Sequence, residues 1–231
     1  LAGDALTDSD ENVAVGYGAL SSDTLGRYST AIGRNALTAQ NFSTATTTSN
    51  TAVGYLAGTE VTTGISNTLI GSLAGDALTD ADENVAVGNN ALTSDTLGSQ
   101  STAIGRGALT NQNFTTATNA LNTAVGFNAG GAVTTGFYNT LIGGVAGDAL
   151  TDADYNVALG MFALSADTLG SRSTAIGYGT LDTQNFTTAT NSYNVAVGYN
   201  AGTAVTTGVQ NVFVGSLAGL GTTTGTQNVA L

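Results

Sequence analysis

Apolar and polar positions alternate along the chain in a five-residue motif. The motif reads Asn or Ser, Thr or Val, usually Ala, then Val, Ile or Leu, and finally Gly. Alternation with a period of two places the second and fourth side chains on one face of a strand and the third on the other. β-Branched residues at the second and fourth positions favour a pleated strand. Each copy therefore predicts a short strand that ends at a glycine corner.

The motif recurs in a fixed register, so internal repetition is the main signal in the sequence. Successive motif glycines are 17, 21, 17 and 17 residues apart, which gives a super-repeat of 72 residues. We expect one repeat domain, 1–231, made of super-repeats 1–72, 73–144 and 145–216 and a partial coil 217–231, as a fragment of a longer chain. The motif copies begin at Asn12, Ser29, Asn50, Asn67, Asn84, Ser101, Asn122, Asn139, Asn156, Ser173, Asn194, Asn211 and, truncated, Asn228.

A period of 17 residues predicts a β-fold. It is too short for a helical hairpin and lacks a 3.6-residue pattern, but it fits one turn of a narrow parallel β-roll. We expect an all-β, parallel β-solenoid of about thirteen short coils, each with a second short strand. The Asn column should form a side-chain ladder, interrupted by Ser in every fourth coil.

A coil this small encloses little apolar area, so it needs stacking, oligomerisation or crosslinks. The chain has no Cys, which excludes disulfides. The Ala column at the third motif position is small enough for a close contact between chains, and this favours an oligomer. The alternative is that these Ala residues fill the interior of a thin monomeric solenoid. The column includes Ala14, Ala31, Ala52, Ala86, Ala103 and Ala124.

The repeats resemble those of a known class of fibres. NTAVGYLAGTEVTTGIS (50–66) and NTAVGFNAGGAVTTGFY (122–138) resemble the 17-residue repeats of phage and virus tail-fibre proteins. STAIG (101–105) is similar, less closely, to the head repeats of trimeric autotransporter adhesins. The resemblance covers the whole chain and implies a parallel homotrimeric fibre without catalytic residues to transfer. The 21-residue coil departs from both patterns.

Composition restricts the possible partners and activities. Sixteen acids and four Arg give a net charge of −12, which disfavours binding to nucleic acid and to anionic membranes. No apolar run approaches the ~18 residues of a membrane span. His, Cys and Lys are absent, which removes the usual nucleophile–base pairs and nitrogen or sulfur metal sites. We therefore expect a chain that is not an enzyme and has no resident cofactor.

An acidic cluster in each super-repeat is the one candidate metal site. Asp76, Asp80, Asp82 and Glu83 are weak candidates for Ca²⁺ ligands, because Ca²⁺ takes several oxygen ligands from flexible loops. The alternative is solvated surface charge, which we favour because Tyr155 replaces the last acid in the third copy.

The four inserted residues of the 21-residue coil are a candidate binding segment. The segment that holds them runs over 38–46 and includes Asn41-Phe42, with equivalents around Asn113-Phe114 and Asn185-Phe186, and each Asn-Phe-Ser/Thr also matches a glycosylation sequon. The alternative, which we favour, is that the three Phe pack on Leu25, Leu97 and Leu169 of the preceding coil. Aromatics after the motif glycine (Tyr17, Tyr55, Phe127, Tyr178 and Tyr199) similarly predict either a carbohydrate stripe or surface and inter-chain packing.

These observations and the resemblance lead to a functional expectation. We expect the structural shaft of a trimeric extracellular fibre, in particular a viral tail or receptor-binding fibre on a virion. Its partners would be its own copies and, through other parts of the fibre, a host cell-surface receptor or glycan. The alternative is a bacterial surface adhesin that binds host matrix or glycans. An ice-binding solenoid is third, and it is disfavoured because Val replaces Thr in several strands, as at Val13 and Val85.

Overall fold

In a computed structural model that describes residues 1–231, every regular element is a β-strand. The prediction of a parallel β-solenoid of about thirteen turns is confirmed. The chain comprises two compact units, Leu1–Ala120 (unit 1) and Leu121–Leu231 (unit 2).

The motif strands form the main parallel sheet of each unit. In unit 1 they are β1 (Val13–Val15), β3 (Thr30–Ile32), β5 (Thr51–Val53), β6 (Thr68–Ile70), β7 (Val85–Val87) and β9 (Thr102–Ile104). In unit 2 they are β11 (Thr123–Val125), β12 (Thr140–Ile142), β13 (Val157–Leu159), β15 (Thr174–Ile176), β17 (Val195–Val197), β18 (Val212–Val214) and β19 (Val229–Ala230).

Strands of successive coils pair in strict register. Thr51, Ala52 and Val53 of β5 lie opposite Thr68, Leu69 and Ile70 of β6, and the other main-sheet pairs within each unit repeat this alignment. Equivalent motif positions therefore form columns along the sheet, spaced by one strand separation of ~4.8 Å.

The predicted second strand is found only beside the 21-residue coils. There, two-residue strands pair in parallel: β2 (Gly26–Arg27) with β4 (Thr46–Thr47), β8 (Gly98–Ser99) with β10 (Thr118–Asn119), and β14 (Gly170–Ser171) with β16 (Thr190–Asn191). Other coils keep single hydrogen bonds on this side, such as Thr62 N–H to the Thr79 carbonyl at 2.9 Å. Each of these pairs joins a 17-residue coil to the 21-residue coil that follows it.

Two features of the corner require glycine: a positive φ and a close approach of the backbone of the next coil. Gly54 has a φ of +146°, and a Cβ built there would lie 2.3 Å from the carbonyl oxygen of Gly71 in the next coil. Only glycine tolerates both this backbone conformation and this approach. The invariance of the corner residue follows from backbone geometry.

The Ala column lies inside each coil, so the prediction that it makes a chain-to-chain contact is wrong. Ala31, Ala52 and Ala86 are fully buried within the single chain. The larger residue Leu69 takes up space left by glycines in the preceding coil and in its own, because a Cβ at Gly58 or Gly75 would meet its methyl groups at 2.6 and 2.7 Å. The interior volume is thus shared between columns, as close packing requires.

The predicted Asn ladder is present and buried. The Asn67 backbone N–H donates to Asn50 Oδ1 at 2.9 Å, and Asn67 Nδ2 donates to the Ala81 carbonyl at 2.7 Å across its own coil. The Asn84 N–H in turn donates to Asn67 Oδ1 at 3.0 Å. Each amide therefore closes one coil and joins it to the next, which satisfies polar groups that burial would otherwise leave unpaired.

Candidate functional site

The outward side chains of the main-sheet strands form an exposed surface on each unit, which we call the sheet face. It consists of the second and fourth motif positions: Thr or Val at the second, and Val, Ile or Leu at the fourth. Ile32, Ile70 and Ile104 are 38, 39 and 38% exposed. These aliphatic side chains are only half covered by the chain itself, because the interior is filled by the opposite side of each strand.

Two columns of corner residues border the sheet face. The Asn edge is the residue just before each motif Asn or Ser: Glu11, Tyr28, Ser49, Ser66, Glu83 and Gln100 in unit 1, and Leu121, Tyr138, Tyr155, Arg172, Tyr193, Gln210 and Gln227 in unit 2. The Gly edge is the residue just after each motif Gly: Tyr17, Arg34, Tyr55, Ser72, Asn89 and Arg106 in unit 1, and Phe127, Gly144, Met161, Tyr178, Tyr199 and Ser216 in unit 2.

Charge is distributed unevenly around the coil. No main-sheet strand contains a charged residue, and only Glu11 and Glu83 among the 16 acids lie on an edge of the sheet face. The remaining acids lie in the other turns or in the interior. A chain with a net charge of −12 therefore presents one side that carries almost no negative charge.

Exposed aromatics cluster on the edges, mainly in unit 2. The rings of Tyr138 and Tyr155 stack with centroids 5.1 Å apart, and the Arg172 guanidinium lies 4.6 Å from the centre of the Tyr155 ring. On the Gly edge, Tyr178 stacks on Tyr199 with centroids 5.6 Å apart. The stacked faces cover one another, so these columns offer ring edges and hydroxyls to a ligand. A flat ring face for sugar stacking is largely absent from them.

The candidate Ca²⁺ ligands are used singly as acceptors between coils. Asp80 accepts from the Thr63 hydroxyl at 2.6 Å, Asp82 from the Ile65 backbone N–H at 2.8 Å, and Glu83 from Gln100 Nε2 at 2.8 Å. Asp76 accepts a short hydrogen bond from the Thr93 hydroxyl. No group of three or more acids is placed to hold a metal ion.

The inserted segments place their Phe residues in the core. Phe42, Phe114 and Phe186 are 7, 6 and 5% exposed. The Leu97 N–H donates to the Phe114 carbonyl at 3.1 Å, so the two residues stand in adjacent coils as expected. Asn41 and Asn185 remain exposed beside them, and each accepts a hydrogen bond from a Thr hydroxyl of the preceding coil.

Each 21-residue coil also contains a buried polar network that was not predicted from the sequence. Gln40 Nε2 donates to Asp23 Oδ2 at 2.5 Å and to Ser29 Oγ at 3.1 Å, and Gln40 Oε1 accepts from Asn50 Nδ2 at 2.9 Å. Asp95 with Gln112, and Asp167 with Gln184, repeat the pair. The sequence pattern that could have indicated this network is a Gln 17 residues after an Asp, in each coil that begins with Ser in place of Asn.

The buried carboxylate of this network carries an electrostatic cost. Desolvation raises the pKa of Asp167, while hydrogen bonds from Gln184, the Phe186 N–H and the Gly170 N–H act in the opposite direction. Burial similarly raises the pKa of Asp76, Asp148 and Asp154 near the surface.

The comparisons with known proteins add no family. No protein-family model matches the chain, and neither the curated proteins nor the solved structures contain a significant match. No helix of sufficient length and apolarity to cross a membrane is present. The functional argument therefore rests on the surfaces described above.

Proposed function

We propose that this chain is a structural segment, the shaft, of a trimeric extracellular fibre, with a viral tail or receptor-binding fibre as its setting. The observation that carries the proposal is the combination of a closed interior and an uncovered apolar side. Polar side chains such as Asn50 and Gln40 are used to join coils, whereas the sheet face is left half-exposed.

The coil-to-coil bonding suits a mechanical role. Along each main sheet, backbone bonds such as Gly71 N–H to the Val53 carbonyl at 2.8 Å run in parallel with the buried side-chain ladder. A load along the stack is then shared by several hydrogen bonds per coil, and cleavage requires a local opening that breaks them together. Recognition of a receptor or glycan would belong to other parts of such a fibre.

A bacterial surface adhesin is the second candidate, and the exposed Tyr138, Tyr155 and Tyr193 favour it, since aromatic side chains are enriched at binding surfaces. An adhesin requires the coils themselves to bind matrix or glycans. Ice binding is less well supported, because the fourth motif position is Val, Ile or Leu throughout and the sheet face therefore holds no Thr pairs.

A binding survey separates these functions. The purified chain would be tested for binding to a glycan array and to immobilised matrix proteins. Inhibition of ice recrystallisation and resistance to proteases of broad specificity would be measured on the same sample. A shaft predicts no saturable binding, no effect on ice and strong protease resistance. Saturable glycan or matrix binding would support the adhesin, and inhibition of recrystallisation would support ice binding; either result would overturn the shaft.

A further inference from the structure

The two edges of the sheet face carry opposite charges in unit 1. Glu11 and Glu83 lie on the Asn edge, and Arg34 and Arg106 lie on the Gly edge. Each Arg stands in the coil that follows its Glu, so the two charges differ in height by one strand separation of about 4.8 Å.

The two edge positions change together within the repeat. One super-repeat after Glu83 and Arg106, the corresponding residues of unit 2 are Tyr155 and Tyr178. The acid and the base are thus lost in the same copy and replaced by the same aromatic residue. The two edges therefore carry matching chemistry in both copies, opposite charges in one and aromatic rings in the other.

These positions do not touch within one chain. Glu83 is separated from the Gly edge of its own coil by the five residues of the motif, an extended distance of roughly 20 Å. A salt bridge requires nitrogen and oxygen atoms within about 4 Å. A direct interaction between the two edges must therefore join different chains.

The sheet face is the apolar surface that such copies would share. With the edges it is about 16 Å wide, so the six main-sheet strands of unit 1 present roughly 450 Å² and the seven of unit 2 somewhat more. In a ring of three, the face of each chain is divided between two neighbours, so one interface receives about half of it from each partner, which is less than the ~800 Å² of a standard interface, and the charged edges must supply the specificity. Because the face is almost free of acids, strongly acidic copies can approach there without close repulsion.

We propose that copies of this chain pack in parallel through the sheet face, with the Asn edge of each copy against the Gly edge of the next. Glu11 and Glu83 then pair with Arg34 and Arg106 of a neighbouring copy, and Tyr155 meets Tyr178 in the same way. This head-to-tail contact closes into a ring. The inference rests on the proposed trimeric shaft and specifies its interface.

Paired cysteines test the arrangement, because the chain has no Cys of its own. In the double variant Glu83→Cys with Arg106→Cys, oxidation or a short bismaleimide should link every copy to both neighbours. Denaturing gels without reductant should show a covalent trimer. Each single-cysteine variant should remain uncrosslinked, because like edges do not meet. The matched control is Ala45→Cys with Ala117→Cys, at exposed positions away from the face, which should also stay uncrosslinked.

The outcomes separate the interface from the function. A wild-type trimer whose Glu83→Cys/Arg106→Cys variant gives no covalent trimer would overturn the edge pairing but leave the trimeric shaft standing. A monomeric wild-type chain would overturn both. A covalent dimer as the largest product would show a ring of two and contradict the inference.

Charge reversal gives a second readout that does not depend on crosslinking. Glu83→Arg or Arg106→Glu alone should weaken the trimer at least tenfold in its dissociation constant. The double variant should recover most of that loss, since the pair is restored with the charges exchanged. If the loss of affinity in the double variant equals the sum of the losses in the two single variants, direct pairing is contradicted.

Discussion

The 17-residue coil 50–66 and the 21-residue coil 29–49 make the hydrogen bonds of the same buried polar column with different residues. In the shorter coil, Asn50 Nδ2 donates to the Gly64 carbonyl at 2.7 Å and Asn50 Oδ1 accepts the next N–H at 2.9 Å. In the longer coil, Ser29 is too short to do both. Its hydroxyl meets Thr48 at 2.5 Å, and Gln40 spans the remaining space.

The comparison shows how the core of the long coil differs. It places one amide and one aromatic ring in the interior, where Gln40 serves the buried Asp23 and Phe42 fills apolar space. The long coil therefore replaces a ladder residue with a local network, and residues 43–45 of the loop that follows Phe42 are exposed. Breaking one coil type should leave the other intact, whereas breaking a shared feature should damage both.

The largest effect is expected at the feature that both coils share, the glycine corner. Gly54→Val should reduce the free energy of unfolding by about 5 kcal/mol or prevent folding, because the Cβ has no room beside the Gly71 carbonyl and φ is +146°. Urea denaturation monitored by circular dichroism measures it. Gly221→Val is the control, since a Cβ there meets nothing within 4 Å; equal losses in both variants would refute the corner argument.

A smaller loss, of about 3 kcal/mol, is expected when the network of the long coil is broken. Gln40→Leu leaves the fully buried Asp23 carboxylate without its amide donor and removes an acceptor from Asn50. Chemical denaturation is the measurement, and Asn111→Leu at an exposed position away from the sheet face is the control. A loss no greater than that of the control would show that the network does not contribute to stability.

Breaking the ladder of the short coil should cost about 2 kcal/mol. In Asn67→Ser, the hydroxyl cannot both reach the Ala81 carbonyl and accept the Asn84 N–H, and no Gln is present to compensate. Asn111→Ser at the surface serves as the matched change. If Ser at position 67 were tolerated as well as it is at position 29, the stated role of Gln40 would be wrong.

The smallest effect is a dependence of stability on pH from the long-coil network of unit 2. The pKa of Asp167 is raised in the folded state, so its contribution to stability is fully present below the unfolded pKa and is lost as pH rises through the folded pKa. Lowering the pH from neutral towards 4 should therefore favour folding through this group. Asp167→Asn should flatten the slope of melting temperature against pH; an unchanged slope would contradict the assignment.

Much of the fold followed from periodicity. Motif spacing predicted the parallel coil, the alternation predicted the strands, and the recurrence of glycine at the motif position of Gly54 predicted a tight corner. The burial of Phe42 was also anticipated, because it falls at the same coil position as Leu25. These features depend on the order of residues along one coil.

The face assignments could not be predicted in the same way. Alternation states that Ala52 and Val53 point in opposite directions, but it does not state which direction is the interior. Small residues fit either a tight contact between chains or a narrow core, and the narrow core is what the coil contains. The Asp23–Gln40 pair was missed because it joins residues of neighbouring coils, and only the stacking register brings them together.

The number of chains in the native particle tests the central claim most directly, namely that copies cover the sheet face that one chain leaves half-exposed. Sedimentation equilibrium over a range of low protein concentrations gives that number without reference to shape. The account predicts a particle of three times the 22.8 kDa chain mass. A stable, well-folded particle of 22.8 kDa would contradict it.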